Sequence, residues 1–284
     1  MKRIIIFSFA FLLSCTIGLP ALAQQSAPTD ADLAKQAQNP IASLISLPFQ
    51  NNTNINMGPY ERSQNVLNIQ PVIPFNFGPV NLITRTIVPV VYRPDLMAES
   101  GGTSGLSDIN ATFFVGPSAP AAVTWAVGPA LYLPTATDDA LGSDKWSAGP
   151  SVVALGMPGH WVIGVLVSNV WSFTGDEDDG DVNSFLLQPI LNYNLPQQWY
   201  LTSVLIITAN WNGADGNKWT VPVGGGFGKI FRIGSQAVNG SFQAFYNVEH
   251  PEFTIQPPIG GLPIEDSGGG PWTIRFQLQL LFPR

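Results

Sequence analysis

Residues 272–284 read WTIRFQLQLLFPR. Every second side chain from Trp272 through Ile274, Phe276, Leu278 and Leu280 to Phe282 is apolar, while Thr273, Arg275, Gln277 and Gln279 between them are polar, Leu281 being the exception. Strict period two marks a β-strand whose two faces meet different surroundings. Here one face is wholly apolar and the other wet. Trp272 and Phe282 bracket the apolar face ten residues apart. At about 3.3 Å per residue and a tilt of about 40°, ten residues span roughly 25 Å, the height of the apolar band of a membrane-spanning barrel.

The same device recurs. In HWVIGVLVSNVWSF, residues 160–173, Trp161 and Trp171 bracket Ile163, Val165 and Val167; in WYLTSVLIITANW, residues 199–211, Trp199 and Trp211 bracket Leu201, Leu205, Ile207 and Ala209. Three segments, bracketed over ten, ten and twelve residues, point to one wall thickness. A secreted β-sandwich would alternate too, but it has no need of aromatic pairs a membrane-width apart.

The beginning of the chain agrees. Lys2 and Arg3 precede an apolar run from Ile4 to Leu19, and Pro20 is followed by Ala21-Leu22-Ala23, a small-x-small cleavage site. Residues 1–23 therefore read as a secretory signal peptide. Cys15, the single cysteine, lies inside it, so disulfide and thiol chemistry drop out of the mature protein. The leader carries two basic residues and no acid, so the net charge of −7 for all 284 residues becomes −9 for the 261 that remain. A surplus of that sign argues against a nucleic-acid partner. Charged residues make up 11% and hydrophobic ones 45%, yet no mature stretch supplies 18 continuous apolar residues for a spanning helix. An exported, apolar chain without spanning helices fits a closed barrel, in which every backbone group is paired.

Read this way, the chain gives an all-β, antiparallel up-and-down barrel of about twelve strands over residues 44–284, near 44–57, 65–75, 80–92, 107–116, 122–133, 146–156, 160–173, 183–195, 198–211, 218–231, 236–247 and 271–282. An even count puts both termini on one side, the periplasm, with short turns there and longer links such as 93–106, 134–145, 174–182 and 248–270 outside. Pro71, Pro89, Pro129, Pro150, Pro189 and Pro222 fall inside strands; proline donates nothing to a ladder, so bulges are expected there. Strand 80–92 alternates poorly. Residues 24–43 form an N-terminal segment, periplasmic or lumenal, in which Thr29 or Asp30 caps a short helix that Pro40 stops.

The stretch GPALYLPTATDDALGSDKWSAGPSVVAL, residues 128–155, is the most distinctive in the chain. With Gly128-Pro129, the turn Leu133-Pro134-Thr135-Ala136-Thr137-Asp138, Leu141-Gly142, Lys145-Trp146 and Gly149-Pro150-Ser151, it resembles a family of bacterial outer-membrane channel proteins associated with meta-pathway phenol degradation. Members are often mislabelled neuromedin U. GLSDINATFFVGPS at 105–118 and ADLAKQAQNPIASLISLPFQNN at 31–52 look like the same family. The resemblance implies a barrel and a channel. It does not name a cargo. The chain departs from the usual terminal aromatic by ending Phe-Pro-Arg, so Phe282, with Leu280, Leu278 and Phe276, is expected to present the signal to the assembly machinery.

Catalytic patterns are sparse. Of the two histidines, neither has the His-x-Ser spacing of outer-membrane phospholipases, since Val162 follows His160 and Glu252 follows His250 at that offset. GDEDDGDVN at 175–183 misplaces Gly180 for a calcium loop and reads as a solvated outer loop near lipopolysaccharide. VGGGFGKIFRIG lacks the Lys-Ser/Thr pair of a phosphate loop. No cofactor, metal or enzymatic activity is expected. Parity assigns Arg85, Asp108, Tyr132, Gln188, Asn192, Gly224, Gly226, Gln243, Arg275, Gln277 and Gln279 to the lumen, and Trp161, Trp171, Trp199, Trp211, Trp219, Trp272 and Phe282 to the membrane-interface girdle. The glycines leave room for a plug or a passing solute, or mark a bend in the wall. Few charges in a narrow lumen suit passive uptake of small hydrophobic or aromatic compounds across the outer membrane. A non-transporting structural or surface-binding barrel is the alternative, ahead of an outer-membrane hydrolase.

Overall fold

The computed structural model describes residues 29–175, 180–251 and 270–283; the expected signal peptide with Cys15, the acidic residues 176–179 and residues 252–269 lie outside them. Among the described residues one short helix, α1 (Asp30–Ala37), is followed by fifteen strands. These are β1 (Ile45–Met57), β2 (Arg62–Ile69), β3 (Val72–Phe77), β4 (Val80–Pro94), β5 (Gly102–Leu106), β6 (Ile109–Pro117), β7 (Val123–Leu133) and β8 (Lys145–Gly156). They continue as β9 (Trp161–Gly175), β10 (Asn183–Asn194), β11 (Trp199–Val204), β12 (Ile207–Asn210), β13 (Trp219–Ile233), β14 (Gln236–Glu249) and β15 (Trp272–Phe282). Three of the barrel's staves are interrupted: β2 with β3, β5 with β6 and β11 with β12 each make one. Twelve staves, paired antiparallel with their chain neighbours, form a closed barrel. The seam is β15 on β1, in register from Ile45 opposite Phe282 to Ile55 opposite Trp272.

Ile45 and Phe282 share one rim, here the terminal rim. Links there are short, Gly78-Pro79 and Gly234-Ser235 among them, while 95–101 and 134–144 cross the far rim. The loop expected at 93–106 is smaller than its sequence suggests. β4 runs on to Pro94 and pairs with β5 from Val90 opposite Leu106 to Pro94 opposite Gly102. Alternation is weak in these residues, but two extended backbones side by side satisfy each other without it.

The six prolines sit where the ladder is broken. A register shift separates Val221 from Pro222, and Pro71 lies in the gap between β2 and β3. Pro129 stands opposite Pro150, each beside a glycine. A side chain on Gly128 would collide with the Phe113 carbonyl, and one on Gly149 with that of Asn169. Only Pro222 carries a true bulge; the others fall at interruptions, where no donor is demanded.

Outward, the wall is apolar. Seven of the eight tryptophans are 39–48% exposed, and Phe276, Leu201, Ile163 and Phe227 between the two aromatic rings are about half exposed. Trp219 is the more covered one, packed edge-on against Trp211 at 5.3 Å. Trp125, Trp161, Trp199 and Phe282 lie toward the terminal rim; Trp146, Trp171, Trp211, Trp219 and Trp272 lie toward the far rim. Such a belt matches a wall that meets hydrocarbon.

Inward, part of the lumen is filled. Thr29 caps α1 by accepting from the Asp32 N–H, and Asp32 returns the bond to the Thr29 N–H, a complete capping box. Leu33 and Ala34 then pack with Ala42 and Leu44 against Ile230, Ala237 and Leu281 of the wall. Ile41 reaches the opposite side, among Val72, Ile83, Phe114, Ala126, Val153 and Leu166. This contact explains the poor alternation of β4. Its inner face is apolar at Ile83 because the N-terminal segment packs against it. The segment is further tied by Lys35 donating to the Gly159 carbonyl at 2.7 Å and Gln38 donating to Asn194 Oδ1 at 2.9 Å.

Candidate functional site in the lumen

What α1 and its continuation leave open is divided in two by one side chain. Arg275, on the wet face of β15, is 4% exposed. Its Nε donates to Asn52 Oδ1 at 2.8 Å and one terminal nitrogen donates to the Val204 carbonyl at 2.7 Å. The guanidinium also lies 4.8 Å from the centre of the Phe245 ring, within cation–π range. Asn52 stands directly opposite Arg275 on the adjacent β1, while Val204 lies on β11, three staves away, so the side chain reaches from its own wall over part of the lumen. Toward the terminal rim lies a cavity of about 130 Å³, bounded by Gln36–Pro40, Arg85, Gln188, Asn192, Gln243, Arg275, Gln277 and Gln279. Toward the far rim lies one of about 200 Å³, bounded by Asn54, Ile206, Thr208, Pro222, Phe245, Asn247 and again Arg275. Arg275 belongs to both. It is the partition.

The lower cavity brings together seven of the side chains that parity placed in the lumen: Arg85, Gln188, Asn192, Gln243, Arg275, Gln277 and Gln279. Arg85 donates to Gln70 Oε1 at 2.9 Å. Gln243 accepts the Val204 N–H at 3.2 Å, so one wall residue is held through both backbone groups by lumenal side chains. Asn239 accepts from the Tyr200 hydroxyl at 2.7 Å and donates to Gln279 at 3.0 Å. Asn192 Oδ1 is buried without a partner. No Asp or Glu lines either cavity among the described residues.

Four other positions are placed elsewhere. Asp108 serves the far-rim loop: its carboxylate accepts from the backbone N–H groups of Thr135, Ala136 and Ser143 and from the Ser143 hydroxyl. It folds a turn and does not face Arg85. Tyr132 faces inward beside Asn110, its hydrogen-bond partner, and near Arg85, but outside the two cavities. Gly224 and Gly226 do not leave lumenal room. A Cβ on Gly224, whose φ is +150°, would meet the Ala244 carbonyl, and one on Gly226 the Phe242 carbonyl, both in the adjacent strand β14. They lie where two backbones close on each other. The third inner glycine, Gly228, is covered by the Tyr200 ring. Tyr200, Asn52, Thr202, Ser241 and Phe245 thus join the site; all lie at inward positions of their strands, the one sign available in the sequence.

The two histidines stand apart, His160 in a terminal-rim turn against Tyr193 at 5.8 Å and His250 just past β14 at the far rim.

No protein-family model and no curated protein sequence matches the chain. Solved structures do. The chain is similar to the COG4313 outer membrane channel from Pseudomonas putida F1, with 13% identity over 84% of this chain and 95% of that one and a TM-score of 0.62. Outer membrane phospholipase A from Escherichia coli shares 13% identity over 90% and 98% of the two chains, with a TM-score of 0.44. The first of these likenesses extends to the whole barrel fold.

Proposed function

We propose that this protein is a passive outer-membrane channel for small hydrophobic or aromatic compounds. One observation carries the reading: among the described residues the lumen holds two small compartments that share Arg275. Their volumes of about 130 and 200 Å³ bracket the ~150 Å³ of a cavity that holds a benzene molecule. A wide polar pore would need none of this closure, and a merely structural barrel would have no reason to keep space on both sides of a partition. The fold supports the reading, since the neighbour from Pseudomonas putida F1 is itself an outer membrane channel. So do the exposed apolar belt, the signal-peptide pattern of residues 1–23 and the family resemblance of residues 128–155. Both termini then face the periplasm. The far-rim loops meet lipopolysaccharide, and the β15 seam meets the assembly machinery.

The test is uptake into liposomes. Phenol entry is expected to exceed that of a hexose clearly, and to fall when Thr202 or Ser241, buried inner residues of the lower cavity, is replaced by Trp. Equal entry of both solutes makes the protein a general pore; entry of neither makes it a structural barrel.

A further inference from the structure

Among the described residues, two lumenal arginines have no carboxylate among their contacts. Arg275 is answered by an amide oxygen, a backbone carbonyl and a ring face, and Arg85 by the amide oxygen of Gln70. An arginine presents five N–H donors; the bonds just named use two on Arg275 and one on Arg85. Both guanidinium groups border the lower cavity, together with neutral donors from Gln188, Gln277, Thr202 and Ser241. Arg85 is half-buried and Arg275 buried, and a charge held away from water is ordinarily paired, because neutral dipoles alone do not replace its hydration. The contrast with the rest of the chain is sharp. The protein is acidic overall, yet its described carboxylates lie on α1, in the far-rim loops or at the strand ends beside them: Glu61, Asp95, Asp108, Asp138, Asp181 and Glu249 are examples.

We propose that the lower cavity is an anion site that takes the carboxylate of a small aromatic or apolar acid between Arg85 and Arg275, with the ring in the remaining space. Arginine's planar fork matches a carboxylate bidentately. The cavity is about the size that houses one aromatic ring. The site thereby narrows the substrate class from neutral hydrophobic compounds to their carboxylates. In this it rests on the channel reading, although binding itself does not require passage.

The experiment separates the two. Refolded full-length protein in micelles is dialysed to equilibrium against labelled benzoate at neutral pH, with empty micelles as blank and benzyl alcohol as the uncharged competitor. The expected result is saturable binding near one benzoate per chain, weakened at least tenfold by Arg275→Gln and by Arg85→Gln and displaced at least tenfold less well by benzyl alcohol. Each variant is first checked for the heat-sensitive gel mobility of a folded barrel; should Arg275→Gln fail that check, Arg85→Gln decides. No saturable benzoate binding, binding unchanged in a folded variant, or equal competition by benzyl alcohol overturns the site. Liposome uptake reads the channel independently. Arginine-dependent binding with no entry of either solute would retain the site and sink the channel, while phenol entry exceeding that of the hexose without benzoate binding would do the reverse.

Discussion

The N-terminal segment is held by side chains whose removal has a calculable effect. Leu33 is 0% and Ile41 4% exposed, and they pack in separate clusters on opposite sides of the lumen. Truncating a buried Leu or Ile to Ala costs about 2–5 kcal/mol, and about 1.4 kcal/mol is a factor of ten. These contacts exist only while the segment is docked, so each truncation acts on the docking equilibrium. At the lower bound a single Ile41→Ala raises the undocked fraction about 25-fold. Because the clusters are distinct the effects should add, which makes Leu33→Ala with Ile41→Ala roughly 700-fold at the same bound. Trypsin reads the equilibrium directly. Lys35 is the one basic residue between positions 24 and 61, and docked it is tied to the Gly159 carbonyl. When re-docking outpaces cleavage, the rate of nicking after Lys35 tracks the open population. We expect that rate to rise at least 25-fold for Ile41→Ala and further for the double variant, with the barrel still folded and Gln36→Ala within twofold of the parent. A double variant nicked no faster than the parent would refute the assignment of these contacts as what seats the segment.

Three further outcomes follow from the wall. Gly228→Ala drives a methyl into the Tyr200 ring and strains the hydroxyl's bond to Asn239; we expect a loss of about 1–3 kcal/mol in urea titration, partly recovered when Tyr200→Ser is added. Gly226→Ala meets the Phe242 carbonyl, which cannot swing aside, so it should block conversion to the folded gel form where Ser241→Ala does not. Phe276, 52% exposed midway along β15, should cost about 2–4 kcal/mol as Arg in a bilayer but at most about 1 kcal/mol for Trp272→Arg near the rim; equal costs measured in lipid would mean that the outer face is not graded by depth.

Much of the fold was legible in residues 160–173, 199–211 and 272–282, because lipid imposes both a period and a length that sequence alone records. β4 was less legible, since its inner face answers to Ile41, a residue more than forty positions upstream of Ile83. The 102–106 strand was hidden for a related reason: its pairing with β4 is made by backbone, which has no composition. In the lumen, parity assigned Arg275 to the inner face but could not supply Val204, its partner from a stave three places away. Asp108 shows the opposite failure. An acid at an inward position reads as a lumen-lining residue, yet the local N–H groups of a turn hold it at the far rim. The glycines Gly224 and Gly226 were ambiguous because a missing side chain records crowding and vacancy alike.

The seam between β1 and β15 joins the first strand to the last, and Leu33, Ala42 and Leu44 pack in the cluster that contains Leu281 on that last strand. Closure is thus a contact of very large sequence separation, and such contacts make folding slow. The segment runs directly into β1, so it must already lie inside when the seam zips, or else enter through a rim afterwards. Its apolar face gives Leu281 a lining to land on at the moment of closing. The piece that narrows the finished lumen is therefore also a mandrel for its construction, and a chain lacking it should close late as well as stand open.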